Sequence, residues 1–320
     1  MKQAMGKGGV ALVMVLAVAM SVLAFLTEIP APPVGDAGIC LPSPSQWNLP
    51  PLISWLLNLA LLLGTTAGIY LFNKQFSVVP GPSAILAPIF LLMTVSIPWI
   101  GGTLTGSAII TPVALSMLSI FCSAYGSRNA SQEVFLVATL LSFGSMIQYA
   151  FVFMIVPAIV IAALFKCLRI REILAMLLGL MAPYWIVLGL GLVSPDSLRL
   201  PALSYIFDSV ASKESLFICM LNLGFSAVIA MILALYNGIK LYAGNTRRRL
   251  FNLAICFTGL FALAGMIVDF NNFSAYVVTF YLTAAFQLAD MFALWNIRRQ
   301  WIWALIICCV YVGFFSASIF

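Results

Sequence analysis

The chain has 320 residues, of which 63% are hydrophobic and 8% are charged, and its formal net charge is +6. Soluble globular domains carry about 25% charged residues, so this composition excludes a soluble protein and indicates an integral membrane protein. The basic residues lie in short clusters beside apolar runs, which is typical of loops at one membrane face. We therefore expect the lipid bilayer as a partner and no binding to nucleic acid.

The sequence contains no histidine and seven cysteines, which limits the metal and nucleophile chemistry available to it. The cysteines show no CxxC spacing and all but Cys40 fall in or beside apolar runs, so no metal site is predicted. Cys40 lies in a polar loop, where we expect a free thiol, with a disulfide to Cys219 as the alternative. A bound divalent cation is left open as the cofactor.

The first apolar run covers residues 10–26 and follows Lys2 and Lys7. It is longer than the roughly 7 to 15 apolar residues of a signal-peptide core, and the segment TEIPAPP that follows offers no small-x-small cleavage site. We expect this run to form an uncleaved first transmembrane helix.

Further apolar runs continue to the end of the chain. Runs of roughly 20 apolar residues are long enough to cross a hydrocarbon core about 30 Å thick as helices. The predicted fold class is therefore all-α, a polytopic transmembrane helical bundle in a single integral membrane domain, residues 1–320. The runs lie near residues 9–27, 51–72, 83–98, 107–125, 131–166, 172–192, 215–236, 253–268, 275–295 and 301–318.

The fifth of these runs is too long for one helix. The charge-free stretch 134–165 would measure about 48 Å as a straight helix, and fitting it into the bilayer needs a tilt beyond the usual range of roughly 0 to 40°. Small and polar residues interrupt the stretch at Ser142, Gly144, Ser145 and Gln148. We therefore predict a hairpin of two helices, which gives about eleven helices in all.

The positions of the basic residues support the hairpin. If the run were a single helix, every later loop would change sides, and only 6 of the 15 basic residues would be cytoplasmic, with 9 outside. With a hairpin and a cytoplasmic N-terminus, only Arg199 and Lys213 lie outside, as the positive-inside rule favours. The other 13 are then cytoplasmic: Lys2, Lys7, Lys74, Arg128, Lys166, Arg169, Arg171, Lys240, Arg247, Arg248, Arg249, Arg298 and Arg299.

The hairpin turn is expected to lie below the outer membrane surface, because only 37 residues separate Arg128 from Lys166. Irregular backbone at that depth must contact protein or a water-filled cavity. Three interpretations stay open: Gly144 and the serines permit close helix packing, the turn lines a cavity, or the predicted helix boundary is misplaced.

Most acidic residues fall on the predicted outer face. The exception inside an apolar run is Asp290, which has Arg298 about two turns further on. An intramembrane carboxylate is a functional candidate, but the basic neighbour favours an interfacial acid. The six outer-face acids are Glu28, Asp36, Asp196, Asp208, Glu214 and Asp269.

The sequence of segment 133–192 predicts a short helix, a small-residue turn, a helix that begins with an aromatic residue and holds a proline, a basic loop, and an apolar helix with Gly179 and Pro183. This order resembles the core of membrane glycosyltransferases of the GT-C fold. With FNKQFS at residues 72–77, the chain as a whole also resembles an uncharacterised family of polytopic inner-membrane proteins of Bacteroidota.

The GT-C resemblance implies an enzyme that takes a sugar from a polyprenyl phosphate on the periplasmic side of the bacterial inner membrane. Members carry an acidic general base in the first outer loop, where this chain has Asp36 and Glu28. Arg199 and Lys213 would then bind the lipid phosphate.

This loop departs from many family members because it is short and proline-rich and its two acids are eight residues apart. Asp269 on the outer face and Gln148 in the turn complete the candidate substrate-binding residues.

The leading hypothesis is thus a GT-C-like inner-membrane protein that binds a polyprenyl-linked substrate on the periplasmic side. Under this hypothesis the protein is either a glycosyltransferase of cell-envelope glycan synthesis or a non-catalytic protein of the same layout. The alternatives are a membrane carrier or flippase, which the scarcity of buried titratable groups disfavours, and a non-enzymatic subunit of an envelope complex.

Overall fold

The structure, a computed structural model, describes residues 7–27, 38–80, 85–194, 198, 214–242, 246–294 and 300–319. Within these ranges the chain forms α-helices and two single-turn 3₁₀ helices, at Pro44–Gln46 and Phe270–Asn272. The α-helices in chain order are α1 Lys7–Leu26, α2 Pro51–Phe76, α3 Leu86–Val95, α4 Pro98–Gly102, α5 Ser107–Ala124, α6 Ser131–Ile147, α7 Ala150–Leu164, α8 Ile170–Gly189, α9 Glu214–Tyr242, α10 Thr246–Val268, α11 Phe273–Leu294 and α12 Gln300–Ile319.

Eight of the described helices are long and apolar enough to cross a membrane: α1, α2, α5 and α8 to α12. Three more, α3, α6 and α7, are apolar but shorter. The prediction of a polytopic helical membrane protein is therefore confirmed.

The predicted hairpin is confirmed, because α6 and α7 are separate helices that run in opposite directions. The Arg169 Nη1 atom, beyond α7, donates a hydrogen bond of 3.1 Å to the Arg128 carbonyl, ahead of α6. The rings of Tyr125 and Phe165 also meet, with centroids 5.7 Å apart. The chain thus enters and leaves the hairpin at one end of the bundle, which we call the basic end; the opposite end, which holds Gln148, is the turn end.

The hairpin turn is covered by protein. Residues 38–41, from the connection between α1 and α2, lie across the C-terminal end of α6. The Ile39 amide donates to the Ser145 carbonyl at 3.2 Å, and the Leu41 amide donates to the Met146 carbonyl at 2.8 Å. The irregular backbone therefore finds hydrogen-bond partners within the protein, as an apolar environment requires.

The approach of this segment to α6 depends on Gly38. A Cβ atom added there would lie 2.1 Å from the Met146 carbonyl oxygen, so a larger residue would displace the segment. Gly144 plays a similar part within the hairpin, since an added Cβ would lie 2.6 Å from the Phe151 ring. These contacts match the close-packing interpretation of the small residues in the turn.

Helix α8 runs parallel to α6 and packs closely against it. An added Cβ on Gly179 would lie 2.6 Å from the Phe135 carbonyl oxygen, so the two backbones are almost in contact. The Ser142 hydroxyl also donates a hydrogen bond of 2.6 Å to the carbonyl of Leu180, the residue after Gly179. Small residues and hydroxyl hydrogen bonds are the usual means by which helices associate in a bilayer.

The described residues form one α-helix more than the eleven or so predicted, because the short helix α4 begins at the end of the run 83–98. Helix α3 ends at Val95, and α4 begins at Pro98. The residue before a proline disfavours helical backbone, and Ile97 is accordingly extended, with φ −99° and ψ 107°. In the sequence this proline stands at the end of an apolar run, and nothing there marks it as the start of a second helix.

Helix α11 forms the centre of the bundle. From Ala275 to Phe292 every side chain is buried, and α3, α5, α9 and α10 pack around it. A helix that is buried on all sides belongs to the core of a bundle, so its polar residues contact protein rather than lipid.

The α6–α8 contact predicts the effect of Gly179→Val. The added side chain overpacks the interface and should lower the free energy of unfolding by about 1–3 kcal/mol. Gly189→Val is the matched control on the same helix, because a Cβ there meets nothing within 4 Å. Thermal unfolding of the two variants in detergent checks this; equal melting temperatures would contradict the packing.

The topology predicts that Ser45 and Ser127, which are both exposed, lie on opposite sides of the membrane. Ser45→Cys and Ser127→Cys, each in a chain whose seven native cysteines are replaced, should react with a membrane-impermeant thiol reagent from opposite faces of the vesicle. Labelling of both from the same face would refute the alternation of the helices.

Candidate functional site

Four buried side chains form a hydrogen-bonded chain at the turn end, which we call the turn-end cluster. The Gln148 Nε2 atom donates to the Asn272 Oδ1 atom. The Asn272 Nδ2 atom donates to the Asp269 Oδ2 atom at 2.8 Å, and the Tyr276 hydroxyl donates to the same oxygen at 3.0 Å. None of the four side chains is more than 2% exposed.

The tight connection between α10 and α11 positions three of these residues. Helix α10 ends at Val268, and the 3₁₀ turn that follows is closed by the Asn272 amide, which donates to the Asp269 carbonyl at 3.2 Å. A Cβ atom added to Gly265 would lie 2.7 Å from the Tyr276 ring, so the glycine lets the two helices approach. The hairpin turn then brings Gln148 from a segment 124 positions away from Asn272.

The hydrogen bonds fix the orientation of both amides. A carboxylate only accepts hydrogen bonds, so Asn272 presents its NH₂ group to Asp269 and its oxygen to Gln148. Gln148 in turn presents its NH₂ group to Asn272. Its Oε1 atom is left buried and accepts no hydrogen bond from the residues that the structure describes.

The unpaired Gln148 oxygen is the chemically distinctive atom of the cluster. A buried acceptor without a partner costs about 1–3 kcal/mol, which a ligand hydroxyl would recover. Gly106, between α4 and α5, lies directly against this amide, since an added Cβ would be 2.8 Å from the Oε1 atom. A larger residue at position 106 would therefore clash with this amide.

Aromatic residues border the cluster on the hairpin side. Tyr149 packs on Phe153 and Phe153 packs on Tyr276, with ring centroids 5.8 and 6.1 Å apart. Burial raises the pKa of the Tyr149 phenol, and the negative charge of Asp269 raises this pKa further. Tyr149 therefore keeps its proton at neutral pH and can donate a hydrogen bond near the turn.

The structure brings together two of the six predicted site residues, Gln148 and Asp269. The four others, Glu28, Asp36, Arg199 and Lys213, lie outside the described residues.

Sequence reasoning did not select Asn272 and Tyr276 as site residues. A signal was present, because Asp269, Asn272 and Tyr276 are spaced i, i+3 and i+7, which places them on one face once the chain turns helically.

A second polar contact lies at the basic end. The Arg248 Nη2 atom is 2.8 Å from the Asp290 Oδ1 atom, and the Arg248 Nε atom donates to the Val78 carbonyl at 2.8 Å. Asp290 is fully buried, whereas the sequence suggested an interfacial acid near basic neighbours without indicating its burial. It has a basic neighbour, as expected, but this is Arg248; the predicted Arg298 lies outside the described residues.

The seven cysteines, Cys40 and Cys219 among them, are free thiols, as predicted for Cys40. In the described part of the chain no three His, Cys, Asp or Glu side chains come together in a group suited to a metal ion.

Comparison with known proteins found no matching family model, no matching curated protein and no matching solved structure. The resemblance to GT-C enzymes therefore stays a prediction from the sequence.

The turn-end cluster predicts a destabilising effect of Tyr276→Phe. The change removes one hydrogen bond to a buried carboxylate and should lower the free energy of unfolding by about 1.5–3 kcal/mol. Tyr70→Phe is the matched control, because Tyr70 is half exposed on α2. Thermal unfolding in detergent compares them, and a Tyr276→Phe variant as stable as the control would show that this hydrogen bond contributes nothing.

Proposed function

We propose that the chain binds a polyprenyl-linked sugar at the turn end, with this end facing the periplasm and the N-terminus in the cytoplasm of a bacterium. In this proposal the protein is a glycosyltransferase-like protein of the inner membrane. The observation that supports it most directly is the buried Gln148 Oε1 atom, an acceptor without a partner among the described residues, beside a buried carboxylate.

The chemistry of the cluster suits a sugar. Binding sites for small polar ligands combine an apolar wall with a few fixed polar groups, and the cluster offers an amide oxygen beside the aromatic rings of Tyr149 and Phe153. The Asp269–Asn272 hydrogen bond holds the Gln148 amide in one orientation. A sugar hydroxyl would donate to Gln148 Oε1 once the residues that cover this buried oxygen, Gly106 among them, move aside.

The first loop would supply the catalytic base. Residues 38–41 are held against α6 by backbone hydrogen bonds beside the cluster. Asp36 precedes Gly38 by two positions in the sequence, so we propose Asp36, with Glu28 as the second candidate, as the carboxylate that accepts a proton from the acceptor hydroxyl. Arg199 and Lys213 would stabilise the leaving lipid phosphate.

Binding assays in lipid nanodiscs test the proposal. The full chain should bind a polyprenyl-phosphate-linked hexose more tightly than the same polyprenyl phosphate without the sugar. Gln148→Leu should remove this preference, weakening hexose-lipid binding roughly tenfold, and should leave binding of the sugar-free lipid unchanged. The matched control is Gln132→Leu, which changes an exposed glutamine at the basic end of α6.

Transfer assays test the catalytic part separately. Asp36→Asn and Glu28→Gln should abolish or strongly reduce transfer of labelled hexose to envelope material and keep the binding preference. The proposal is refuted if the wild-type chain does not distinguish the two lipids. If these variants and Arg199→Ala all leave transfer and envelope glycans unchanged, the assigned catalytic residues are wrong.

A further inference from the structure

A groove of about 400 Å³ opens between α9, α10 and α11, and along α10 it extends from near the basic end to beyond the middle of the helix. Small residues on α9 create it, among them Ala230, Ala234 and Gly238, and they face Leu253 and Leu260 of α10. Because α9 carries small side chains at these positions, where leucines would fill the space, the three helices leave an apolar groove between them.

The groove has the length of one membrane leaflet. Along α9 it extends from Ala227 to Gly238, and along α10 from Asn252 to Leu263. Eleven residues of helix rise about 16 Å, which is about half of a hydrocarbon core about 30 Å thick. Its dimensions therefore suit one acyl chain that enters from the leaflet at the basic end.

Polar side chains close the groove at that end. The Gln287 Nε2 atom donates to the Asn252 Oδ1 atom at 2.8 Å, and the Asn237 Nδ2 atom donates to the Gln287 Oε1 atom at 3.1 Å. This amide group links α9, α10 and α11. The lining of the groove thus changes from apolar to polar at these amides. A phospholipid changes in the same order, from an apolar acyl chain to a polar headgroup.

Arg249 lies on the line of the groove, just beyond its polar end. Its position precedes Leu253, Cys256 and Leu260 by 4, 7 and 11 residues, so all four share one face of α10. The neighbouring Arg248 is rotated by about 100° around the helix and instead pairs with Asp290. Arg249 therefore places a positive charge at the end where the phosphate of a lipid would lie.

We propose that this groove binds an anionic phospholipid, with one acyl chain between α9 and α10 and the headgroup phosphate on Arg249. Arginine binds phosphate through two parallel N–H donors, and basic pockets between transmembrane helices select anionic headgroups. This site is at the opposite end of the bundle from the turn-end cluster and does not depend on the function proposed there.

Native mass spectrometry of the full chain tests the proposal. The protein is released from micelles that contain equal amounts of phosphatidylglycerol and phosphatidylcholine with identical acyl chains. The wild-type chain should retain phosphatidylglycerol in about fivefold preference, as one basic residue near the headgroup provides. Arg249→Gln should reduce the ratio of bound phosphatidylglycerol to bound phosphatidylcholine towards one, and Arg249→Lys should keep most of the preference. Arg171→Gln, at the basic end of α8, should leave the ratio unchanged.

A matched pair of variants tests whether the groove binds an acyl chain. A Cβ at Gly238 meets nothing within 4 Å, so Gly238→Leu fills the groove without a clash, and fewer lipids should stay bound. Gly224→Leu is the control, because Gly224 is on the same helix, has equally open surroundings and lies outside the groove.

Thermal unfolding of each variant serves as the control that the variant is folded. The proposal is overturned if the wild-type chain shows no preference, if Arg249→Gln behaves like Arg171→Gln, or if Gly238→Leu retains as much lipid as Gly224→Leu.

Discussion

The architecture depends on one constraint, that backbone amides and carbonyls away from water must be paired within the protein. The turn between α6 and α7 is the place where this constraint is most demanding, since the backbone leaves helical geometry at Gln148. The protein meets it by laying residues 38–41 across the end of α6. This segment can cover the end of α6 only because Gly38 lets the two backbones touch. A single glycine therefore allows the first loop to pack on the hairpin.

The same constraint explains why the polar side chains form networks at the two ends of α10. Arg248 and Asp269 are separated by 21 positions, or about 31 Å of helix, which equals the thickness of a hydrocarbon core. One network joins Arg248 to Asp290 and Val78, and the other joins Asp269 to Asn272, Tyr276 and Gln148. We therefore expect each network at the depth of a membrane interface, where a buried charge costs less than it does at the bilayer centre.

Sequence reasoning predicted those parts of the fold that depend on composition and charge. Apolar runs gave the spanning helices, and the positions of Arg128 and Arg169 on one side of the hairpin gave its direction. It could not predict that Pro98 starts a separate helix inside the bundle, since a proline at the end of an apolar run has the same pattern in both cases. The pairing of Gln148 with Asn272 was also beyond it, because contacts between distant segments leave no local periodicity.

Asp290 shows why the depth of a residue and its burial must be argued separately. The position of Asp290 near the end of its apolar run predicted its depth correctly, because Asp290 lies level with the first turn of α10. Burial depends instead on which face of α11 meets other helices, and α11 is surrounded on all sides. At such a position a carboxylate needs a partner from within the protein, and removing one partner of a buried ion pair typically costs about 3–5 kcal/mol. Arg248 thus joins α10 to α11 and to Val78, just beyond α2, at the basic end.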